Sequence, residues 1–136
     1  MSEYADKFMY DFMYEGKYNY GIVVDFYSDV LEDGKRFSDV IDSFSKDLGY
    51  NWKVMGCSFA SSCDEEDIEN GDYFEDGVMF YLNDDDVIID YQTFYNCLKL
   101  ACEIYLKKYP EEKNMVHEKL SIVRNRYNIT DRSKIL

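Results

Sequence analysis

The apolar residues of this chain change their period twice, and that change limits the available folds more than any other feature. In FSDVIDSFSKDLG, the residues Phe37, Val40, Ile41, Phe44 and Leu48 recur at helical spacing. They form one stripe of an α-helix, with Gly49 as its C-terminal stop. From Met55 the interval drops to two: Met55, Cys57 and Phe59, then Val78, Phe80 and Leu82, then Val87, Ile89 and Tyr91. Such alternation marks strands with one buried face. NDDD at 83–86 joins the last two strands as a hairpin. From Thr93 the helical interval returns, with Phe94, Cys97, Leu98, Ala101, Tyr105 and Leu106 on one face. Pro110 then stands where a helix places its first residue, ahead of Glu111 and Glu112. Val116, Leu120, Val123 and Tyr127 continue that last helix.

Upstream, IVVDFYSDVL is ambiguous. Val23, Phe26, Tyr27, Val30 and Leu31 follow helical spacing, while the β-branched start suits a strand, and helix is the preferred reading. EDGK (32–35) is a turn. Residues 1–20 read as an N-terminal arm or helix, and residues 128–136 as a frayed tail. A hairpin alone cannot bury its face. The expected architecture is therefore α+β: one domain over residues 1–136, with a small antiparallel sheet of about three strands packed by N-terminal and C-terminal α-helices.

The stretch SSCDEEDIENGDYFEDG, residues 61–77, falls in the long loop between the first strand and the hairpin. It carries eight carboxylates and no Lys or Arg. Crowding like charges gains nothing for folding. The imbalance extends beyond the loop: residues 1–90 hold 23 Asp and Glu against 6 Lys and Arg, a net of −17. Residues 91–136 hold 5 against 9, a net of +4. Such a surface repels nucleic acid and anionic membrane, because phosphate binding needs Lys and Arg to displace counterions. No apolar run reaches the roughly 20 residues of a membrane span. The start, MSEYADKFMYDF, lacks the parts of a signal peptide. These features together predict a soluble cytoplasmic protein with a basic protein surface as partner and no direct nucleic-acid or membrane contact. The bland alternative is that the charge serves solubility alone.

Catalytic patterns are missing from the sequence. His117 is the sole histidine and stands among charged residues. There is no GxSxG and no Gly-rich phosphate loop. Paired carboxylates work as acid and base only where a pocket separates their pKa values, and a hydrophilic acidic loop does not do that. An EF-hand reading fails as well: alignment on Gly71 puts Ile68 at position 3, and alignment on Gly77 puts Phe74 there. Cys57, Cys63, Cys97 and Cys102 form neither a CxxC pair nor a zinc spacing, and they read as reduced thiols. Cys57 and Cys97 fall on apolar faces, where Cys is a small hydrophobe. No catalytic residue, metal or cofactor is expected. Recognition remains: carboxylates steer and orient a basic partner, while Tyr73 and Phe74 supply contact area.

The succession DLGYNWKVMGCSF, an acidic loop, and FEDGVMFYLNDDDVIIDYQTFYNCLKLACEIYLKKYPEEKNMVHEKL resembles the immunity proteins of bacterial contact-dependent growth inhibition (CDI) systems. Specifically, it is similar to the group paired with ribonuclease toxins. The resemblance is carried by Leu48 to Tyr50, by Cys57 to Phe59, and by Phe74, Glu75, Gly77 and Val78 with Asp76 inserted. A helix of the form YLxxACExYLxxxPE-K, matched from Tyr95 to Lys113, completes it. It spans residues 22–123, and Cys97 stands where a bulkier residue is expected. It implies a non-enzymatic protein that binds a cognate toxin domain and neutralises it by covering its basic RNA-binding or active-site surface. The toxin would be a ribonuclease, in some systems EndoU-like and tRNA-cleaving.

The family pattern does not fix the contacting residues, so these are chosen on physical grounds. They are Asp64, Glu65, Glu66, Asp67, Glu69, Asp72, Tyr73, Phe74, Glu75 and Asp76, with Asp84, Asp85 and Asp86 as a second patch. Three rival readings stay open. An acidic nucleic-acid mimic inhibiting another DNA- or RNA-binding protein predicts carboxylates spaced like duplex phosphates. An enzyme or metal-dependent module predicts a pocket with converging polar groups. An oligomeric adaptor would use the aromatic helices.

Overall fold

The computed structural model describes residues 21–60, 69 and 76–129. Within them lie four α-helices, α1 (Gly21–Leu31), α2 (Gly34–Ser45), α3 (Tyr91–Lys108) and α4 (Lys113–Arg126). They frame four strands, β1 (Tyr50–Trp52), β2 (Met55–Phe59), β3 (Val78–Leu82) and β4 (Asp85–Ile89). The strands form one antiparallel meander in the order β1-β2-β3-β4. The architecture is α+β, as the change of period requires. The expected N-terminal arm, residues 1–20, lies outside the described residues.

Register sets the two faces of the sheet. Tyr50 pairs with Cys57, Cys57 with Phe80, and Phe80 with Val87. With Met55, Phe59, Val78 and Ile89, these residues line the face that meets the helices. α1 packs on β3 and β4, and also against α2 and α3. Its Val23, Val24, Phe26, Tyr27, Ser28, Val30 and Leu31 are all buried. A helix covered on most sides loses its polar stripe, which is why its sequence left a strand as the second reading beside the preferred helix. Rings fill the space between the layers. Phe26 meets Phe80 edge-on at 5.2 Å, and Phe44 meets Phe59 and Phe94 at 5.4 and 5.3 Å.

Four local expectations change. First, β1 adds a fourth strand. Three residues are too few to show a period, and Lys53, not Gly or Asn, takes the positive φ of its turn. Second, α2 stops at Ser45, and Leu48 leaves the helical stripe to stand 54% exposed. Asp47 adopts φ 60° just beyond the helix, with Asp47 N–H donating to Phe44 O and Leu48 N–H to Ser43 O. An Asp tolerates the left-handed turn well enough to close the helix before Gly49. Gly49 serves instead for close approach, since a Cβ there would lie 2.2 Å from the Cys57 carbonyl oxygen.

Third, Tyr91 begins α3 and does not end β4. Asp90 caps the helix by accepting from Thr93 N–H at 2.6 Å, so the chain turns helical two residues early. Fourth, Pro110 opens a 3-10 turn through Glu112, and α4 follows from Lys113. At the far end of α4, Asn128 takes φ 53° and Ile129 N–H donates to Arg124 O, the same closing motif as in α2. Tyr127 stacks on Tyr91 at 4.3 Å and its hydroxyl donates to Asp47 Oδ1, which ties α4 to the end of α2.

Candidate functional site

The meander has two ends, and the acidic residues divide between them. The β2–β3 connection leaves one end, where Phe59 pairs with Val78 and Ala60 N–H donates to Gly77 O at 3.0 Å. Gly77 takes φ 94°, and a Cβ on it would lie 2.4 Å from the Ile89 carbonyl oxygen. Only glycine lets the connection re-enter the sheet this close to β4. Asp76, beside it, and Glu69 are exposed. Asp64, Glu65, Glu66, Asp67, Asp72, Tyr73, Phe74 and Glu75 lie outside the described residues.

The second patch is at the opposite end. Met55 pairs with Leu82 there, and the Lys53–Val54 and Asn83–Asp84 turns lie side by side. Asn83 N–H donates to Val54 O at 2.8 Å, which fastens one turn to the other. Asp84, Asp85 and Asp86 are exposed around this tether. The five-residue strand β3, roughly 14 Å long, separates Asp76 from Asp84. The sequence reading named Asp84, Asp85 and Asp86 as a second patch, and the length of β3 stands between them and Asp76.

Sequence reasoning missed two residues at the turn end. Trp52 is 38% exposed and Val54 56% exposed. The Arg36 guanidinium lies 4.1 Å from the centre of the Trp52 ring and also donates to Asp29 Oδ2 at 2.6 Å. Burial opposes its charge, but hydrogen bonds to Asp29 and Tyr50 outweigh that and hold it more firmly protonated than usual. The ring is thereby braced from α2. The one usable signal was the lone tryptophan in a short polar segment, NWK. Outer-face residues also stay open: Ile88 is 49% exposed, and Tyr81 crosses over Gly56 so that its hydroxyl donates to Asn51 Oδ1.

The interior offers no chemistry to match. Cys57, Cys97 and Cys102 are free and buried, and burial pushes each thiol up from its ordinary pKa. The Tyr27 hydroxyl is raised by burial and by the nearness of these same thiols. His117 is half-buried on α4, and among the described residues its Nε2 has no hydrogen-bond partner. Among the described residues no group of three or more His, Cys, Asp or Glu is placed to hold a metal ion. A groove of about 200 Å³ between the end of α3 and the start of α4, lined by Glu103, Leu106, Lys107, Pro110 and Lys113, is small for a ligand site. No described helix is long and apolar enough to cross a membrane.

A small α+β scaffold with an exposed acidic and aromatic surface is the build of a protein that acts by binding another protein. Comparison with known families names the kind. Residues 19–120 match the family model CdiI_4, CDI immunity protein, and the chain belongs to that family. Immunity proteins of this family are generally non-enzymatic, and membership implies a cognate toxin protein as the partner. No curated protein matches the chain.

Proposed function

We propose that this protein binds the C-terminal domain of a cognate ribonuclease toxin in the cytoplasm and neutralises it by covering its basic RNA-binding or active-site surface. Family membership supplies the toxin, and the charge supplies the rest. The observation that carries the reading is the net of −17 over residues 1–90, with Glu69, Asp76, Asp84, Asp85 and Asp86 all facing solvent. A cleft built to hold RNA is rich in Lys and Arg, and an acidic surface meets it without needing RNA's shape. Steering between opposite fields raises association rates by roughly 10- to 10³-fold at low salt. That suits a protein that must reach its toxin before RNA does.

The test is RNA cleavage by the purified cognate toxin domain, titrated with this protein. Cleavage is expected to stop at a one-to-one ratio. Undiminished cleavage at large excess refutes the reading. Replacing Asp64, Glu65, Glu66 and Asp67 together by Asn or Gln is expected to weaken binding and flatten its salt dependence. A four-site variant that binds at full strength across salt concentrations removes the loop from the mechanism.

A further inference from the structure

The turn end of the sheet carries more than charge. Trp52 pairs with Met55, Met55 with Leu82, and Leu82 with Asp85, so one cross-strand row runs from the tryptophan to a carboxylate. Three strand spacings of about 4.8 Å put these ends roughly 14 Å apart on the helix-facing side of the sheet, with Met55 buried between them. Val54 stands in the adjacent turn, 56% exposed, and the Asn83 tether fixes that turn to the one carrying Asp84. The exposed part of this end is therefore Trp52 and Val54 on one side and, across the Asn83 tether, the carboxylates Asp84, Asp85 and Asp86 on the other.

Two properties mark it as a built surface. Exposed aromatics on an edge strand invite unwanted pairing, and here the ring is retained and held in one orientation by Arg36. A ring fixed beforehand loses little conformational freedom when a partner covers it. Tryptophan is also among the residues most enriched where binding energy concentrates. The carboxylates select the occupant. Beside three carboxylates stand Lys53, in the turn itself, and Arg36 over the Trp52 ring, whose charge Asp29 already meets. The surface is complementary to a basic protein and unsuited to an anion.

We infer that this turn end is the anchor of the toxin interface: Trp52 and Val54 insert into an apolar recess on the toxin, and Asp84, Asp85 and Asp86 pair with the Lys and Arg around it. This rests on the toxin-neutralising reading and adds to it a contact centre at the other end of β3 from Asp76, roughly 14 Å away along the strand. The loop steers, and the turn end locks. Changes at the turn end then act on dissociation, and changes in the loop on association.

The experiment measures inhibition constants and dissociation rates for the unmodified chain and three variants against the cognate toxin domain. V54R places bulk and like charge at an exposed turn position without touching the core. W52A removes the ring, and I122R does the equivalent of V54R on α4, where Ile122 is 36% exposed. The expected result is at least a tenfold faster dissociation for V54R and W52A, with I122R unchanged and thermal melts confirming that all are folded. Full-strength inhibition by V54R and W52A, while the unmodified chain still inhibits at one-to-one, overturns this anchor and leaves the toxin reading intact. Failure of the unmodified chain to inhibit overturns both. Loss of self-association in W52A or V54R with toxin binding unaltered also overturns it, in favour of a second copy of this chain.

Discussion

Phe44 is the residue whose removal most directly tests how the layers are joined. It is fully buried on α2, with ring centres of Phe94 at 5.3 Å, Phe59 at 5.4 Å and Phe26 at 6.4 Å. These partners come from α3, β2 and α1, so one side chain touches every layer of the core. A buried Phe removes about 150 Å² or more from water, worth about 4 kcal/mol at 25 cal/mol per Å². Its edge-on pairs with Phe59 and Phe94 add about 0.5–1.5 kcal/mol each. Part of this is recovered by the remaining Cβ and by relaxation around the gap, and F44A is expected to cost about 3–5 kcal/mol. In a domain of this size that lowers Tm by roughly 10–20 °C.

Urea unfolding followed by the emission of Trp52, the single tryptophan, reads the loss directly. The midpoint should fall with the slope unchanged. Toxin inhibition below the melting range should keep its one-to-one endpoint, because Phe44 is fully buried and presents nothing to a partner. A loss under about 1 kcal/mol would show that the three rings do not pack as described.

Three further outcomes are expected. G77A combines a strained positive φ with a Cβ 2.4 Å from the Ile89 carbonyl. It should cost about 2–4 kcal/mol in a denaturant melt, and a near-neutral result would contradict the close approach of β4. Asp42 accepts from Lys119 at 2.9 Å and Lys46 at 3.0 Å, and these bonds hold its carboxyl below the usual 3.8. Its contribution is therefore present above about pH 4 and fades as the pH falls through the depressed value. D42N should flatten this part of the acid limb of the stability profile, and an unchanged limb would refute the pairing. Cys57, Cys97 and Cys102, buried with raised thiol pKa values, should resist alkylation at pH 8 until urea is added. Peptide mapping that finds any of the three labelled in the native protein would count against the core as drawn.

The sequence by itself determined the element types, because binary pattern is local. Phe37, Val40, Ile41 and Phe44 mark a helix face and Val78 and Phe80 a strand face whatever lies opposite, and all six are buried as the pattern requires. The net charge, the lack of a catalytic motif and the family pattern are likewise properties of the string. What it withheld was pairwise. The strand β1 exists only because β2 offers Cys57, Gly56 and Met55 as partners to Tyr50, Asn51 and Trp52. The end of α2 was misplaced because Asp47 can take a left-handed turn and Gly49 was needed elsewhere.

The candidate surface divides along the same line. Acidity was legible, since charge needs no neighbour to be counted. That Asp76 and Asp84 stand at opposite ends of a strand was legible too, since they flank Val78–Leu82 along the chain. The bracing of Trp52 depends on Arg36 reaching it from α2, sixteen positions away in sequence, and only the packed structure brings the two together.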